Sequence, residues 1–267
     1  MTNPSFSLDG RVVVVTGGLG NIGRAFARGL LAAGARVAIV DAGKTALPDD
    51  LSESKHVATF GADVTDRSAL VRACEAMTER WGAPSGLINA AALDSSPDAP
   101  VEENGPFETY PEASWDRVMS VNAKGVFLCC QVFGGAMAAA GRGAIVNIAS
   151  IYGVLSPDQG LYQYRRDRGE TFYKPVAYSA SKSALYNLTR YLATYWAPRG
   201  VRVNTMTLAG VSAGQDPAFL ARYVPKVPLG RMAMPDDYVG GVVFLLSDAA
   251  RYMTGADLVI DGGFSAW

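Results

Sequence analysis

Short apolar runs rich in β-branched residues alternate along this chain with longer stretches in which apolar residues recur at helical spacing. The runs at 11–15, 35–41, 57–60, 86–88, 143–148, 201–206 and 258–260 predict strands, the first of them buried. The stretches at 24–33, 66–80, 110–131, 216–222 and 236–247 predict helices, with 223–231 a loop. Trp81-Gly82 closes the second helix, and Asp236 and Asp237 suit the first turn of the last one. The third helix carries Asn122 in mid-course and Gly125 just after it. A mid-helix Asn is unusual because its amide competes with backbone hydrogen bonds, and a helix bend would explain it. Strands alternating with helices make an α/β chain.

Composition narrows the classes. The chain has 267 residues, of which 49% are hydrophobic, enough for a substantial core in one large domain or two small ones. Its formal net charge of −1 gives no electrostatic footprint for nucleic acid. Residues 1–9 are short and polar, without a basic region followed by an apolar signal core, so a cytoplasmic location is expected. No run of about 18 apolar residues suggests a membrane span. Cys74, Cys129 and Cys130 do not make a secreted disulfide framework, and the lone His56 cannot build a histidine metal cluster, so no metal site is expected.

Two stretches carry candidate chemistry. The first strand runs into Thr16-Gly17-Gly18-Leu19-Gly20-Asn21-Ile22-Gly23, then a helix, then a strand ending in Asp41, eighteen residues beyond Gly23. Strand, glycine turn, helix, strand and acid follow the order of a dinucleotide-binding βαβ unit. Such glycines let the backbone approach a pyrophosphate, and the helix N-terminus offers free N–H groups to it. A carboxylate at Asp41 can accept from adenosine ribose hydroxyls and would repel a 2′-phosphate, which favours NAD over NADP. Lys44 is the nearest basic residue after it, and capping of the next turn is the alternative role for Asp41. Asp63-Val64, after the third strand, could meet the adenine edge, and the small residues of Asn89-Ala90-Ala91 would let the chain pass close to the cofactor. The second stretch is Tyr178-Ser179-Ala180-Ser181-Lys182. On a helix it stacks a phenol and an ammonium one turn apart. A nearby positive charge favours the ionised form of a tyrosine, whose ordinary pKa is about 10, so the phenol becomes a usable acid or base at a substrate oxygen.

Thr16-Gly17…Gly23, Asn89-Ala90-Ala91, Asn122, Ser150, Tyr178 and Lys182, in that order and spacing, resemble the short-chain dehydrogenase/reductase family from about residue 7 to 267. The resemblance implies a single-domain Rossmann fold, a doubly wound parallel sheet with helices on both faces. It also implies a nicotinamide cofactor and a homotetramer, with a homodimer as the alternative. Carried over, Tyr178 is the acid–base group, Lys182 lowers its pKa and binds the nicotinamide ribose, Ser150 bonds the reacting oxygen, and Asn122 holds a water in a proton relay. Gly17, Asn21, Ile22, Gly23, Asp41, Asp63, Val64, Asn89, Ala90, Ala91 and Val211 line the cofactor with Tyr178 and Lys182. The chain departs from the family pattern in two places. Asn21 replaces a glycine, which Asn's tolerance of left-handed geometry would accommodate. Leu208-Ala209 replaces the Pro-Gly that precedes the nicotinamide loop at Val211.

Ser150 and Tyr178 lie 28 residues apart, about twice the spacing in simpler members of the family. The extra segment, 156–174, is expected at the active-site mouth. Its Tyr162, Arg165, Arg166, Arg168 and Tyr173 would suit a polar, ring-shaped or anionic substrate, with a subunit contact or solvated loop as the alternative. Segments 174–179, 227–232 and 261–267 resemble bacterial dehydrogenases of the flagellin-modification and surface-polysaccharide type, which implies a sugar or nucleotide-sugar substrate. The expected function is NAD-dependent hydride transfer at a hydroxyl or carbonyl carbon of a carbohydrate. The alternatives are a reductase of a small non-sugar ketone and a non-catalytic binding protein. The aromatic tail 264–267 is expected to pack on a neighbouring subunit.

Overall fold

The computed structural model describes residues 4–43, 46–94 and 101–267. In chain order the main elements are β1 (Val12–Thr16), α1 (Asn21–Ala32), β2 (Arg36–Asp41), α2 (Asp49–Ser52), β3 (Val57–Gly61), α3 (Arg67–Trp81) and β4 (Gly86–Asn89). There follow α4 (Glu112–Ala139), β5 (Gly143–Ser150), α5 (Gln163–Asp167), α6 (Val176–Trp196), β6 (Val201–Leu208), α7 (Pro217–Tyr223), α8 (Val239–Leu246) and β7 (Asp257–Ile260). The seven strands form one parallel sheet in the order β3-β2-β1-β4-β5-β6-β7. The order reverses between β1 and β4, and ligands of such sheets bind at the carboxyl ends of the strands beside that reversal.

Burial explains why the strands read as continuous apolar runs. Every residue of β1, β4 and β5 is buried, because helices cover both faces. Val13 and Val15 face Phe26 and Leu30 of α1 and Val242 and Leu245 of α8. Val14 faces the other layer, where Leu70 and Met77 of α3 meet Phe133 and Met137 of α4 and Leu185 and Trp196 of α6. Cys74, Cys129 and Cys130 are buried in that second layer. A third, smaller cluster of Leu161, Phe219, Tyr223, Val227 and Met232 joins the segment 156–174 to α7 and the loop after it.

Several elements run further than the pattern predicts. β5 and β6 extend to Ser150 and Leu208 because they pair in register from Gly143↔Val201 through Ser150↔Leu208. The helix expected at 110–131 begins after Pro111 and continues to Ala139, interrupted by π-helical turns at Ser120–Gly125 and Cys130–Gly134. Two of its glycines mark close approaches: a Cβ at Gly125 would stand 2.7 Å from Val64, and one at Gly134 2.6 Å from the Trp196 ring. By length and composition this helix could cross a bilayer, but 56% of its most apolar window is buried inside the fold. The helix expected at 236–247 opens as a 3-10 turn, Pro235–Tyr238, before α8. Its last turn is held by two arginines: Arg11 donates to Leu246 O at 2.7 Å and Arg202 to Leu245 O at 2.8 Å, supplying partners for carbonyls a helix end leaves open. In the tail, Phe264 stacks on Tyr223 of the same chain, and Trp267 is exposed.

Phe133 is fully buried under the sheet, on the helix that also carries Asn122. Phe133→Ala is expected to cost about 3–5 kcal/mol of unfolding free energy, read by denaturant titration. A loss below about 1 kcal/mol would mean that this layer repacks freely.

Candidate active site

The glycine turn is shaped by what lies against it. Gly17 has φ of +64°, and a Cβ there would stand 2.8 Å from Ala91 Cα. A Cβ on Gly23 would run into the Gly17 carbonyl oxygen. Gly20 occupies the N-cap of α1 without any side-chain cap, so the first N–H groups of the helix point out unsatisfied, as an anion site requires. Asn21 and Ile22 form the first helical residues. Asn21 does not use the left-handed geometry expected of it: among the described residues only glycines have positive φ. Asp41, at the end of β2, accepts from Leu19 N at 3.2 Å and stays half-exposed beside the turn. Lys44 lies outside the described residues. These features fit a dinucleotide: a close-approach turn, an uncapped helix start and a carboxylate at the second strand.

The far wall of the cleft is fixed by one hydroxyl. Thr16 Oγ1 accepts from Ala90 N at 3.1 Å and Ala91 N at 3.2 Å, tying the ends of β1 and β4 together. Asn89 turns inward instead. Its Nδ2 donates to Asn147 Oδ1 at 2.8 Å, and Asn147 donates to Thr189 Oγ1 at 2.8 Å, a polar strut from the sheet to α6. Asp63 is exposed and accepts from both the N–H and the hydroxyl of Thr65 at 2.8 Å, while Val64 is buried against α4. At the other end, Val211 bridges Ala233. The loop that Leu208-Ala209 left open is pinned by two tyrosine hydroxyls: Tyr238 donates to Ala209 O at 3.1 Å, and Tyr223 accepts from Gly210 N at 2.8 Å. Nothing in the local sequence of either tyrosine signals that task.

The four expected catalytic residues converge. Pro175 caps α6, so Tyr178 falls in its first turn and Lys182 one turn on. Ser150 ends β5 beside the Tyr178 side chain, close enough to act on its phenol. The Lys182 ammonium is buried and donates to Ile148 O at 2.8 Å, standing 5.9 Å from the Tyr178 ring centroid. Burial pushes the Tyr178 phenol well up, Asp94 pushes it further, and Ser150 opposes both. Burial likewise pushes Lys182 down, to about 8, against the pull of Asp94. Desolvation thus drives both groups toward their neutral forms, and the phenol stands above its ordinary pKa rather than below it. Asn122 is fully buried within the π-turn. It accepts from Leu93 N at 2.7 Å and donates to Leu93 O at 2.9 Å and Ser181 Oγ at 3.0 Å. With both amide hydrogens spent on protein, its side chain braces the chain after β4 against α6.

The segment 156–174 folds on itself. Arg166 donates to Phe172 O at 2.8 Å and Gln159 O at 2.7 Å. Arg165 pairs with Glu170 and lies over Phe172, and Arg168 pairs with Asp216 and lies over Tyr164. Tyr162 packs on Phe172 and Phe219. Tyr173 is exposed, under the Arg166 guanidinium. All three guanidiniums therefore have protein partners. What the segment brings to Tyr178 is Lys174, whose ammonium is 5.0 Å from the Tyr178 ring centroid and paired with Asp94. A cavity of about 190 Å³ opens there, lined by Leu93, Asp94, Glu103, Tyr110, Arg117 and Tyr178. Asp94 and Glu103 were not signalled by any motif. The nearest clue to Asp94 is an acid closely following the small residues after β4.

A family model described as enoyl-(acyl carrier protein) reductase matches residues 18–265. The D-threitol dehydrogenase of Mycolicibacterium smegmatis is 37% identical, covering 97% of this chain and 95% of its own length. The L-tagatose-forming galactitol 2-dehydrogenase of Cereibacter sphaeroides is 36% identical, covering 98% of each. A solved short-chain dehydrogenase from Leptospira borgpetersenii with bound NAD+ superposes with a TM-score of 0.86 at 33% identity, covering 99% of this chain and 96% of that one. A gluconate 5-dehydrogenase from Burkholderia cenocepacia, in complex with NADP and tartrate, gives 0.84 at 26%, covering 99% and 98%. These relatives bear out the doubly wound sheet and the oxidoreductase class acting on CH–OH groups, and among them both NAD and NADP are bound. Two of these relatives are sugar-alcohol dehydrogenases and one is a gluconate dehydrogenase, and none of the four is described as an enzyme of flagellin modification. A shared sheet and 33–37% identity across nearly the full length of several of these proteins lead to one conclusion: the chain belongs to the short-chain dehydrogenase/reductase family.

Proposed function

We propose that this protein is an NAD-dependent polyol dehydrogenase, oxidising a secondary alcohol of a neutral, polyhydroxylated substrate to the ketone. The observation that carries the reading is the convergence of Ser150, Tyr178 and the buried Lys182 ammonium at the wall of a cavity. The polyol class is supported by the relatives that act on threitol and galactitol. The insertion arginines are spent on protein groups, so the reading commits to a neutral polyol rather than an anionic or nucleotide-linked sugar.

The uncapped start of α1, Gly17, Ala90, Ala91 and Asp41 would hold the dinucleotide, and Val211 would border its nicotinamide end. When bound, the nicotinamide supplies the acceptor for the hydride. Tyr178 takes the proton from the substrate hydroxyl, and Ser150 orients that oxygen through its own hydroxyl. Lys182 shares the proton with Tyr178, so the pair titrates as a unit rather than as two separate groups. Asp41 supports NAD because its carboxylate can accept from ribose hydroxyls and repels a 2′-phosphate.

At neutral pH burial keeps the phenol protonated, so oxidation requires the Tyr178–Lys182 pair to lose a proton. The lysine, pushed down to about 8, sets where that begins. The rate of polyol oxidation should therefore rise with pH through a midpoint near 8, and ketone reduction should fall through the same midpoint. A flat profile from pH 6 to 10 would rule out this pair as the proton acceptor. Tyr178→Phe should lower kcat by about 10²–10⁴-fold while NAD still binds, as followed by fluorescence titration. Retained turnover in that variant would remove Tyr178 from the chemistry. Asp41→Ser should reduce the preference for NAD over NADP, measured as the ratio of kcat/KM values, by about tenfold or more. Parent protein that uses NADP as well as NAD would overturn the role given to Asp41.

A further inference from the structure

Lys174 is held with more care than a surface lysine needs. Gln159 grips its backbone from both sides, accepting from Lys174 N at 2.9 Å and donating to Lys174 O at 3.1 Å. The carbonyl of Gln159 is in turn held by Arg166, which also holds Phe172 O. The internal lattice of the segment 156–174 thus ends on Lys174, one residue before the cap of the helix that bears Tyr178. The Lys174 side chain is only 9% exposed, and its ammonium lies nearer the Tyr178 ring, at 5.0 Å, than that of Lys182, at 5.9 Å. Its partner Asp94 is 57% exposed and lines the cavity that Tyr178 also lines.

An ion pair on an outer loop contributes little to stability, and sinking an ammonium costs desolvation. Stability therefore does not account for the arrangement. An ammonium and a carboxylate side by side do suit a hydroxyl group, which donates and accepts at once. We propose that Lys174 and Asp94 are the substrate-reading pair of this site. Lys174 donates to, and Asp94 accepts from, hydroxyls on carbons next to the one that reacts at Tyr178 and Ser150. This rests on the polyol reading above and deepens it. A substrate lacking the neighbouring hydroxyls leaves the pair without those bonds, and sites built to bond a hydroxyl discriminate strongly against analogues without one. The three arginines then act at one remove: they build the bracket that presents Lys174.

The test compares parent, Lys174→Met and Asp94→Asn on two substrates with NAD. One is threitol or galactitol; the other is 2-butanol, a secondary alcohol with no further hydroxyl. The expected result is a fall of about tenfold or more in the ratio of kcat/KM for the polyol to that for 2-butanol, arising mainly in KM for the polyol. A ratio within about twofold of the parent in both variants would overturn the proposal, because a structural or pKa-setting role moves both substrates alike. Asp94 is exposed on a loop, so its variant carries the test by itself if Lys174→Met does not fold, and NAD binding reports that the fold is intact. Parent protein that oxidises 2-butanol but no polyol would sink the polyol reading itself. Parent activity on polyols with unmoved ratios in the variants would sink only the reading pair.

Discussion

The hydroxyl of Thr16 is the hinge pin of this molecule. By accepting two successive N–H groups, it fastens the chain leaving β4 to the end of β1, at the place where the sheet order reverses. The same few residues are then fastened repeatedly as they leave the sheet. Ala90 and Ala91 are held by Thr16, Leu93 by the amide of Asn122, and Asp94 by Lys174. Each anchor comes from a different element: β1, α4 and the insertion. The glycine turn abuts this seam at Ala91, and the seam's Leu93 and Asp94 line the cavity. A loop with that many independent restraints gives a site fixed geometry although it has little regular structure of its own.

Burial governs the chemistry at the seam. Desolvation acts on Tyr178 and Lys182 in opposite senses, raising the phenol and lowering the ammonium, so both are driven toward their neutral forms rather than toward a fixed phenolate–ammonium pair. Ser150 enters from the sheet, at the end of β5. Its position depends on β5 and β6 remaining paired to their last residues, and Tyr186 reinforces it by donating to Ser150 O at 3.2 Å.

The parts of this design legible in the sequence are those governed by local rules. Apolar runs marked all seven strands, and the glycine turn and the Tyr178–Lys182 spacing marked the two ends of the site, because period and spacing are properties of a single segment. What the sequence did not reveal depends on contacts between distant segments. The guanidiniums of Arg165, Arg166 and Arg168 looked available, yet their partners Glu170, Gln159 and Asp216 take them up only once the insertion has folded. Asn122 looked like an oddity in a helix. Its reason is a backbone segment 29 residues away that only the tertiary fold brings alongside. The turns in Asn122's helix likewise follow from the closeness of Val64 and Trp196, which no pattern within that helix encodes.

The three cysteines have a practical side. None forms a disulfide, and all are enclosed between the sheet and its helices. Burial raises all three thiols, Cys130 to about 12, so the nucleophilic thiolate is scarce at neutral pH. The folded protein therefore offers a quiet background to maleimides and mild oxidants. A cysteine introduced on its surface would react far faster than the native three, giving a single site for a dye or spin label.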